Sequence, residues 1–332
     1  MKSEKKLYLH IGCGKTGSSA LQLWLHQNRS VLQQHGIDYP EEKDGNNTPG
    51  DYQITSGNGS LLIDRLEKKS HERYLKSLFQ RYSTLLFSSE LFQGIGGGML
   101  DQLVESSIKL GFHMTIIVYL RDVYDVIYSL YVQRVKRHLE TRTFEEFALE
   151  LKVLQQFHVL SRYEKYFDDL RVIHYDTELE RGIDRIFAEI LGLDQEIPGM
   201  TSRKVNRSLN VFELELLRQM NRIYIEKFGG EDSEFSREIS DRLIYVDPEK
   251  PTEIYFQKDL AEKLQKKFLK PLRRVNKKYF DDNRLKFFRR KEKRVVRTVP
   301  KVPREYFVAV ESIMKYFLDA KKKRKSWLSF IS

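Results

Sequence analysis

A short segment near the start of the chain concentrates groups that bind anions. Its glycines are Gly12, Gly14 and Gly17, and its donor side chains are Lys15, Thr16, Ser18 and Ser19. A glycine turn lets successive backbone N–H groups point into one concavity, and a following helix adds the positive end of its dipole. Each hydrogen bond to a charged group contributes about 1.5–3 kcal/mol, so a few of these donors suffice for firm binding. The segment therefore predicts a phosphate-binding loop, with a plain connecting turn as the alternative.

Two charged residues follow other apolar runs of the chain. Glu90 comes after an apolar run that starts at Thr84, and its carboxylate suits a general base that removes the proton of a hydroxyl or amine. The alternative for Glu90 is a surface carboxylate that caps the following loop. Arg121 comes after Met114–Leu120, and its guanidinium suits a phosphate. The alternative for Arg121 is a structural ion pair with Asp125.

The elements that must position these residues alternate between strand and helix. Strands are predicted at Leu7–Ile11, Thr84–Glu90, Met114–Leu120 and Leu170–His174, and helices at Ser18–Gln34, Ser60–Arg81, Val123–Tyr131, Phe144–Tyr166 and Gly182–Leu191. A further amphipathic helix is predicted after Asn210 and Glu213, which have the spacing of a capping box. This order predicts an α/β fold, with a P-loop-like, doubly wound parallel sheet flanked by helices. Ligands bind outside the carboxyl ends of the strands in such sheets, which is where the loop, Glu90 and Arg121 are predicted to lie.

The loop resembles the 5′-phosphosulfate loop of sulfotransferases that use 3′-phosphoadenylyl sulfate (PAPS). The matching residues are Lys15-Thr16-Gly17-Ser18-Ser19-Ala20-Leu21-Gln22. The generic nucleotide triphosphatase loop fits less well, because Leu9 stands where that pattern requires glycine. Cys13-Gly14 departs from the family, which often has proline or histidine before the lysine. The resemblance implies that Gly14–Ser19 bind PAPS, that Lys15 is catalytic, and that adenosine 3′,5′-bisphosphate (PAP) is a product.

Other parts of the chain extend the resemblance, and Lys266–Phe280 resembles the family's terminal helix. Arg121 and Ser129 have the spacing of the family's 3′-phosphate-binding pair, and Asn206 with Ser208 resembles a cofactor-contacting lid segment, for which helix capping is the alternative. Glu90 is implied as the catalytic base, with His10 in reserve. The bacterial members that the chain resembles are related to carbohydrate sulfotransferases, which implies a carbohydrate acceptor. No metal is expected, because no metal-ligand cluster is visible and the eight histidines lack paired spacing.

Two other functions stay open. One is a nucleotide-dependent kinase with an unusual P-loop, and the other is a basic polyanion-binding module with a vestigial loop. The net charge of +11 lies entirely in Lys286–Arg297 and Lys321–Lys325, so the rest of the chain is balanced and no nucleic-acid partner is expected.

Composition bounds the remaining expectations. The chain has 332 residues, 40% of them hydrophobic, which predicts a globular protein with one large core and appendages. The resemblance implies a sulfotransferase domain over 1–282, followed by a basic linker, helix and tail over 283–332. Its single cysteine and short apolar runs favour a cytoplasmic protein. The tail pairs Lys321–Lys325 with apolar residues from Trp327 onward. It suits either contact with the anionic inner face of a membrane or a solvated terminus.

Overall fold

The computed structural model describes residues 4–13, 16–41, 57–178, 181–193, 197–200, 207–250, 253–280, 294–312 and 315. The chain packs as two compact units. The first comprises Met1–Val126, Lys152–Val205 and Phe268–Arg289, and the second comprises Ile127–Leu151, Asn206–Lys267 and Arg290–Ser332. The predicted boundary between residues 282 and 283 lies outside the described residues and stays a prediction.

The first unit is built on a parallel sheet of five strands. The strands are β1 (Lys5–Ile11), β2 (Ile37–Asp38), β3 (Thr84–Ser89), β4 (Phe112–Leu120) and β5 (Leu170–His174), in the order β2-β3-β1-β4-β5. The predicted α/β parallel sheet is confirmed. In register, Ile11 of β1 lies beside Ser89 of β3 and Val118 of β4, so these strands end at one edge of the sheet. The strand order reverses between β1 and β4, and open α/β sheets bind ligands at such a switch point.

Thirteen helices are described. They are α1 (Ser18–Gln27), α2 (Arg29–Gln34), α3 (Gly59–Glu67), α4 (His71–Phe79), α5 (Gly97–Leu110), α6 (Val123–Arg137), α7 (Phe144–Glu150), α8 (Gln155–Tyr163), α9 (Tyr175–Glu178), α10 (Ile183–Leu191), α11 (Val211–Phe228), α12 (Glu234–Val246) and α13 (Lys258–Tyr279). Residues 304–312 are also helical. Among these described elements, no helix is both long and apolar enough to span a membrane.

Helices cover both faces of the sheet. On one face, Leu25 of α1 and Phe187 of α10 share a buried core with Leu86 of β3. On the other face, Tyr74 of α4 contacts the ring of Phe87, with ring centroids 6.4 Å apart. Because successive side chains of a strand point to opposite faces, the neighbours Leu86 and Phe87 contact different helical layers. The apolar run of β3 is therefore explained by burial on both sides.

Three predicted helices are each divided in two. The break between α1 and α2 falls at Asn28, whose side-chain amide donates to the Trp24 carbonyl at 2.9 Å. The break between α3 and α4 includes Lys69, which has a positive φ of 52°. The third break lies between α7 and α8. Helical periodicity runs through these breaks, so the sequence pattern alone does not reveal them.

Other elements differ from the sequence predictions at their bounds. α5, α12 and the short strand β2 were not predicted, and α13 begins before the predicted Lys266. Two further strands, β6 (Glu253–Tyr255) and β7 (Arg294–Val296), pair in parallel in the second unit. The predicted basic linker therefore contributes a strand.

The second unit contains the capping box that the sequence predicts for α11. The Asn210 side chain accepts from the Glu213 amide, and the Glu213 carboxylate accepts from the Asn210 amide. Arg207, also buried, donates to both Glu213 carboxylate oxygens, at 2.7 and 3.0 Å. Glu213 therefore caps the helix and binds a guanidinium at the same time.

Candidate functional site

The turn after β1 brings the N-terminus of α1 to the switch point of the sheet. Gly17 is the N-cap of α1, with φ 75° and ψ 14°, a left-handed conformation that favours glycine. It offers no side chain to cap the helix, and the first turn of α1 carries no acidic residue. The positive end of the α1 dipole is thus not neutralised by a carboxylate of that turn, which suits an anion.

Glu90 lies next to this turn. It follows β3 and begins a short 3₁₀ helix, Glu90–Gly94, with its side chain exposed. A Cβ atom added at Gly12 would lie 2.8 Å from Glu90 Cγ and 2.7 Å from Ser18 Oγ. A side chain at position 12 would therefore require the Glu90 and Ser18 side chains to move. The parallel sheet thus brings a carboxylate and a loop hydroxyl together, and the catalytic role of Glu90 stays a prediction.

The segment that carries Glu90 is held by hydrogen bonds to its backbone. The Gly12 amide donates to the Ser89 carbonyl at 3.3 Å, and the Gln93 side-chain amide donates to the Gly12 carbonyl. From α8, Arg162 donates to the carbonyls of Gln93 at 3.1 Å and Ile95 at 2.6 Å. These contacts fix the position of Glu90 relative to the turn after β1.

The hydroxyl side chains of the loop have different surroundings. Thr16 is buried, and its hydroxyl donates to the Cys13 carbonyl at 2.5 Å, so it stabilises the turn itself. Ser18 is buried beside Gly12, and Ser19 is half-buried in the first turn of α1. Ser18 and Ser19 are thus the better placed of the predicted hydroxyl donors.

Arg121 lies at the carboxyl end of β4 and is only 6% exposed. Its Nε donates to Asp176 Oδ1 at 3.2 Å, and its Nη2 lies 3.9 Å from Asp125 Oδ2. Burial lowers the pKa of Arg121, but the carboxylates of Asp176 and Asp125 outweigh burial and raise it overall. The predicted ion pair with Asp125 is present, together with a closer one that the sequence did not indicate.

A hydrogen-bonded cluster supports this end of the sheet. The Asp122 amide donates to Asp176 Oδ2 at 2.9 Å, and His174 Nε2 lies 3.0 Å from Asp122 Oδ1. One potential metal-binding atom from each of these three residues lies within 4.8 Å of the others, a grouping that histidine spacing did not reveal. They already bond to one another, and Arg121 brings a positive charge to Asp176. The arrangement is that of a support for Arg121, and the expectation of no metal stays a prediction.

Tyr175 contacts both the loop and Arg121. The Arg121 Cζ atom lies 5.4 Å from the centroid of the Tyr175 ring, within the range of a cation–π interaction. A Cβ atom added at Gly17 would lie 3.2 Å from Tyr175 Cε2 and 2.7 Å from Ile183 Cδ1. The ring therefore packs between the cap of α1 and the guanidinium. Sequence reasoning did not single out Tyr175, although its place directly after β5, which pairs with β4, was a usable signal.

Five predicted site residues remain: Gly14, Lys15, Ser129, Asn206 and Ser208. Gly14, Lys15 and Asn206 lie outside the described residues. Ser129 is half-buried on α6, and Ser208 is exposed just before α11. The proposed roles of all five stay predictions.

His10 and Cys13 are packed rather than reactive. His10 is 1% exposed, its Nδ1 lies 2.7 Å from Ser88 Oγ, and burial lowers its pKa to about 3. Its ring meets those of Tyr119 and Phe187 edge to face. Burial, with a smaller contribution from Glu90, raises the pKa of Cys13 to about 12. These surroundings argue against His10 as the reserve base and support Cys13 as a small residue accommodated in the turn.

Comparisons with known proteins give little guidance. No protein-family model matches the sequence, and no curated protein matches it. Among solved structures, the chain is similar to a retinol dehydratase in complex with androsterone and the inactive cofactor PAP. That match has 14% sequence identity, covers 80% of each chain and has a TM-score of 0.34. This similarity is below the level at which a fold, a ligand or a reaction can be transferred.

Proposed function

We propose that this chain is a sulfotransferase that transfers a sulfuryl group from PAPS to a hydroxyl or amine of an acceptor. The observation that carries the proposal is the convergence at the switch point of the sheet. Glu90 lies beside Gly12, Tyr175 lies beside Gly17, and Tyr175 in turn contacts Arg121. A loop of phosphate donors, a carboxylate and a guanidinium are the groups that this reaction needs.

The turn after β1 fits the 5′ end of the cofactor. The N-terminus of α1 has no side-chain cap and no acidic residue in its first turn, so its amides suit the negative charge of a phosphate. When bound, PAPS supplies an activated sulfuryl group on a phosphate that can leave. We assign to Lys15 and the amides of Gly14–Ser19 the stabilisation of the negative charge that develops on the oxygen bridging sulfur and phosphorus. Lys15 meets this charge in the ground state as well, so Lys15→Ala should lower both turnover and cofactor affinity.

Glu90 is the proposed general base. Its exposed carboxylate can accept the proton of an acceptor hydroxyl or amine as the acceptor attacks the sulfur atom. The hydrogen bonds that hold the backbone around Gln93 would keep Glu90 positioned for this step.

Arg121 and Ser129 are the proposed ligands of the 3′-phosphate, and Asn206 and Ser208 are proposed to contact the cofactor. The support is their motif spacing and the guanidinium at the end of β4. Arg121 already pairs with Asp176 and Asp125, so a phosphate would share it with two carboxylates. We therefore expect Arg121 to contribute less affinity than an unpaired arginine would.

The acceptor class and the cellular location rest on the sequence. The resemblance to bacterial carbohydrate sulfotransferases supports a carbohydrate acceptor, and composition supports a cytoplasmic location. Contact of the tail with an anionic membrane surface is proposed on the basic run Lys321–Lys325 and the apolar residues from Trp327 onward.

Calorimetric titration with PAP, ATP and GTP tests the proposal. We expect PAP to bind and the two triphosphates to bind far more weakly. Binding of ATP or GTP without PAP would favour a kinase with an unusual P-loop. Binding of none of them, with salt-sensitive polyanion binding that survives Lys15→Ala, would favour the basic binding module.

A further inference from the structure

The second unit contains a cavity of about 320 Å³ that the proposed reaction does not use. Four of its lining residues are aromatic: Tyr128, Tyr131, Phe144 and Tyr255. Phe144 is central, since its ring centroid lies 5.1 Å from that of Tyr128, 5.3 Å from Tyr131 and 6.4 Å from Tyr255. Packed interiors have few voids larger than a water molecule, whereas ligand pockets begin at about 300 Å³. The cavity is therefore large enough for a small ligand.

The same cavity has a polar wall whose charged residues are Glu145, Glu215 and Arg218. Arg218 donates from Nε and Nη2 to the two carboxylate oxygens of Glu215, at 2.8 and 2.6 Å. Its Nη1 donates to the Thr141 carbonyl at 2.6 Å. Glu145 Oε1 lies 3.0 Å from Lys263 Nζ. The wall is thus made of planar, fixed hydrogen-bonding groups without an excess of positive charge.

This lining excludes two kinds of occupant. A purely apolar ligand would remove the polar groups of Glu145 and Gln257 from water and offer them no hydrogen bond beyond those that they make with Lys263 and Tyr255, which costs free energy. An anion would face the carboxylates of Glu145 and Glu215, while Arg218 is already engaged by Glu215. The lining suits a neutral ligand that has an apolar face and hydroxyl groups at its edges. Sugar rings have this character, because their C–H faces pack on aromatic rings and their hydroxyls pair with carboxylates and amides.

A second cavity extends the space. Its volume is about 350 Å³, and it shares Glu145 and Gln257 with the first as lining residues. Its other charged lining residues are Lys258, Asp259, Lys263 and Arg297, so both signs are again mixed. The two cavities therefore offer adjoining space for more than one sugar unit.

We propose that these two cavities form a binding site for a short, uncharged oligosaccharide, with one sugar unit against the aromatic rings. All of its residues belong to the second unit, and none belongs to the proposed cofactor site. The site needs no bound PAPS, so the proposal stands or fails independently of the proposed reaction.

The test is saturation-transfer NMR on the full chain, without cofactor, against neutral di- to tetrasaccharides of glucose, galactose, mannose and N-acetylglucosamine. We expect saturable binding of at least one of them. Glu145→Gln and Gln257→Ala should each weaken it by about tenfold, the equivalent of one lost hydrogen bond. The matched control is Glu262→Gln on α13, an exposed glutamate that lines neither cavity, and it should leave binding unchanged.

Tyr255→Ala should abolish binding, because it removes a ring of the apolar wall. If that variant does not fold, Glu145→Gln and Gln257→Ala decide the question, since both residues are only half-buried. The proposal is overturned if no member of the panel binds at millimolar concentration, or if both substitutions leave binding intact. Preference for sulfated or phosphorylated sugars over their neutral forms would also overturn it.

Discussion

The carboxyl ends of β1 and β4 are neighbours in the sheet but differ in how their polar groups are used. At the end of β1, Gly17 caps a helix without a side chain, and Glu90 stands exposed beside the turn. At the end of β4, Arg121 is buried and paired with Asp176 and Asp125. The end of β1 presents a helix N-terminus without a side-chain cap and an exposed carboxylate. At the end of β4, by contrast, the charged groups form ion pairs with one another. The motif around Gly17 is therefore the better candidate for the proposed reaction, whereas Arg121 stabilises the fold in addition to its proposed role as a ligand.

The largest expected effect at the end of β1 comes from Glu90. Glu90→Gln removes the proposed base and keeps the shape, so turnover with PAPS should fall by about 100- to 10,000-fold. PAP affinity should stay nearly unchanged, because the base contacts the acceptor. Steady-state sulfation assays and calorimetry measure the two quantities.

Glu105→Gln is the matched control for Glu90. Glu105 is an exposed glutamate on α5, and its substitution should leave turnover intact. Near-full turnover of Glu90→Gln would remove Glu90 from the mechanism while leaving the cofactor site untouched.

The ion pairs at the end of β4 are tested by measuring the free energy of unfolding. Arg121→Met leaves Asp176 and Asp125 buried without their cation, so the free energy of unfolding should fall by about 3–5 kcal/mol. Urea denaturation at neutral pH measures it. Arg171→Met is the control: Arg171 pairs with Asp169 at 3.0 Å but is exposed, and its loss should cost about 0–1 kcal/mol. Equal losses for the two variants would contradict the contrast between the two ends.

A ligand role for Arg121 can be separated from its structural role. Arg121→Lys keeps the positive charge but loses the planar set of guanidinium donors, and it should fold. If Arg121 also binds the 3′-phosphate, this variant should weaken PAP more than adenosine 5′-phosphate, which lacks that phosphate. Calorimetry with both nucleotides measures the difference, and equal losses would make Arg121 purely structural.

Acid should weaken the fold through His10 in β1. Burial lowers its folded pKa to about 3, so in the pH range from 6.5 down to 3 the unfolded chain binds a proton that the folded chain does not. The free energy of unfolding therefore decreases as the pH is lowered through this range. His10 alone accounts for a decrease of about 2 kcal/mol at pH 5. His10→Asn should remove that part of the loss between pH 7 and pH 5, measured by urea denaturation at both pH values. His158→Asn, at an exposed position, should show the wild-type pH dependence. An unchanged pH dependence in His10→Asn would show that His10 is not the buried neutral group described.

The contact between the two ends is tested at Gly17. Gly17→Ala and Gly111→Ala both place alanine at a positive φ, 75° and 63°, so each should cost about 1–2 kcal/mol of stability. Only the Gly17 substitution meets Tyr175 and Ile183, whereas a Cβ at Gly111 has open space. We therefore expect only Gly17→Ala to weaken PAP as well, by about tenfold, or 1.4 kcal/mol. Calorimetry on both variants checks this. Equal PAP affinities would show that the contact between Gly17 and Tyr175 does not affect cofactor binding.

The strands of the sheet and the position of the candidate site could be predicted from the sequence. The contacts between the side chains of that site could not. Strand periodicity and glycine punctuation located β1, β3, β4 and β5, because burial and turns act locally on the chain. The helix breaks at Asn28 and Lys69 escaped prediction, since a single residue decides them within an unbroken periodic pattern. The partners of Arg121 escaped too: Asp176 lies on another strand's end, and no local pattern links the two. The contact of Tyr175 with Gly17 likewise arises only from the folding of the sheet.

Hydrogen exchange monitored by mass spectrometry, with and without PAP, tests the central claim most directly. If the ends of β1 and β4 form one cofactor site, PAP should slow amide exchange in peptides covering residues 16–20 and 120–123. Both effects should have the same concentration midpoint, and a peptide covering residues 211–218 of the second unit should not change. Protection of only one of the first two peptides, or of neither, would contradict a shared site.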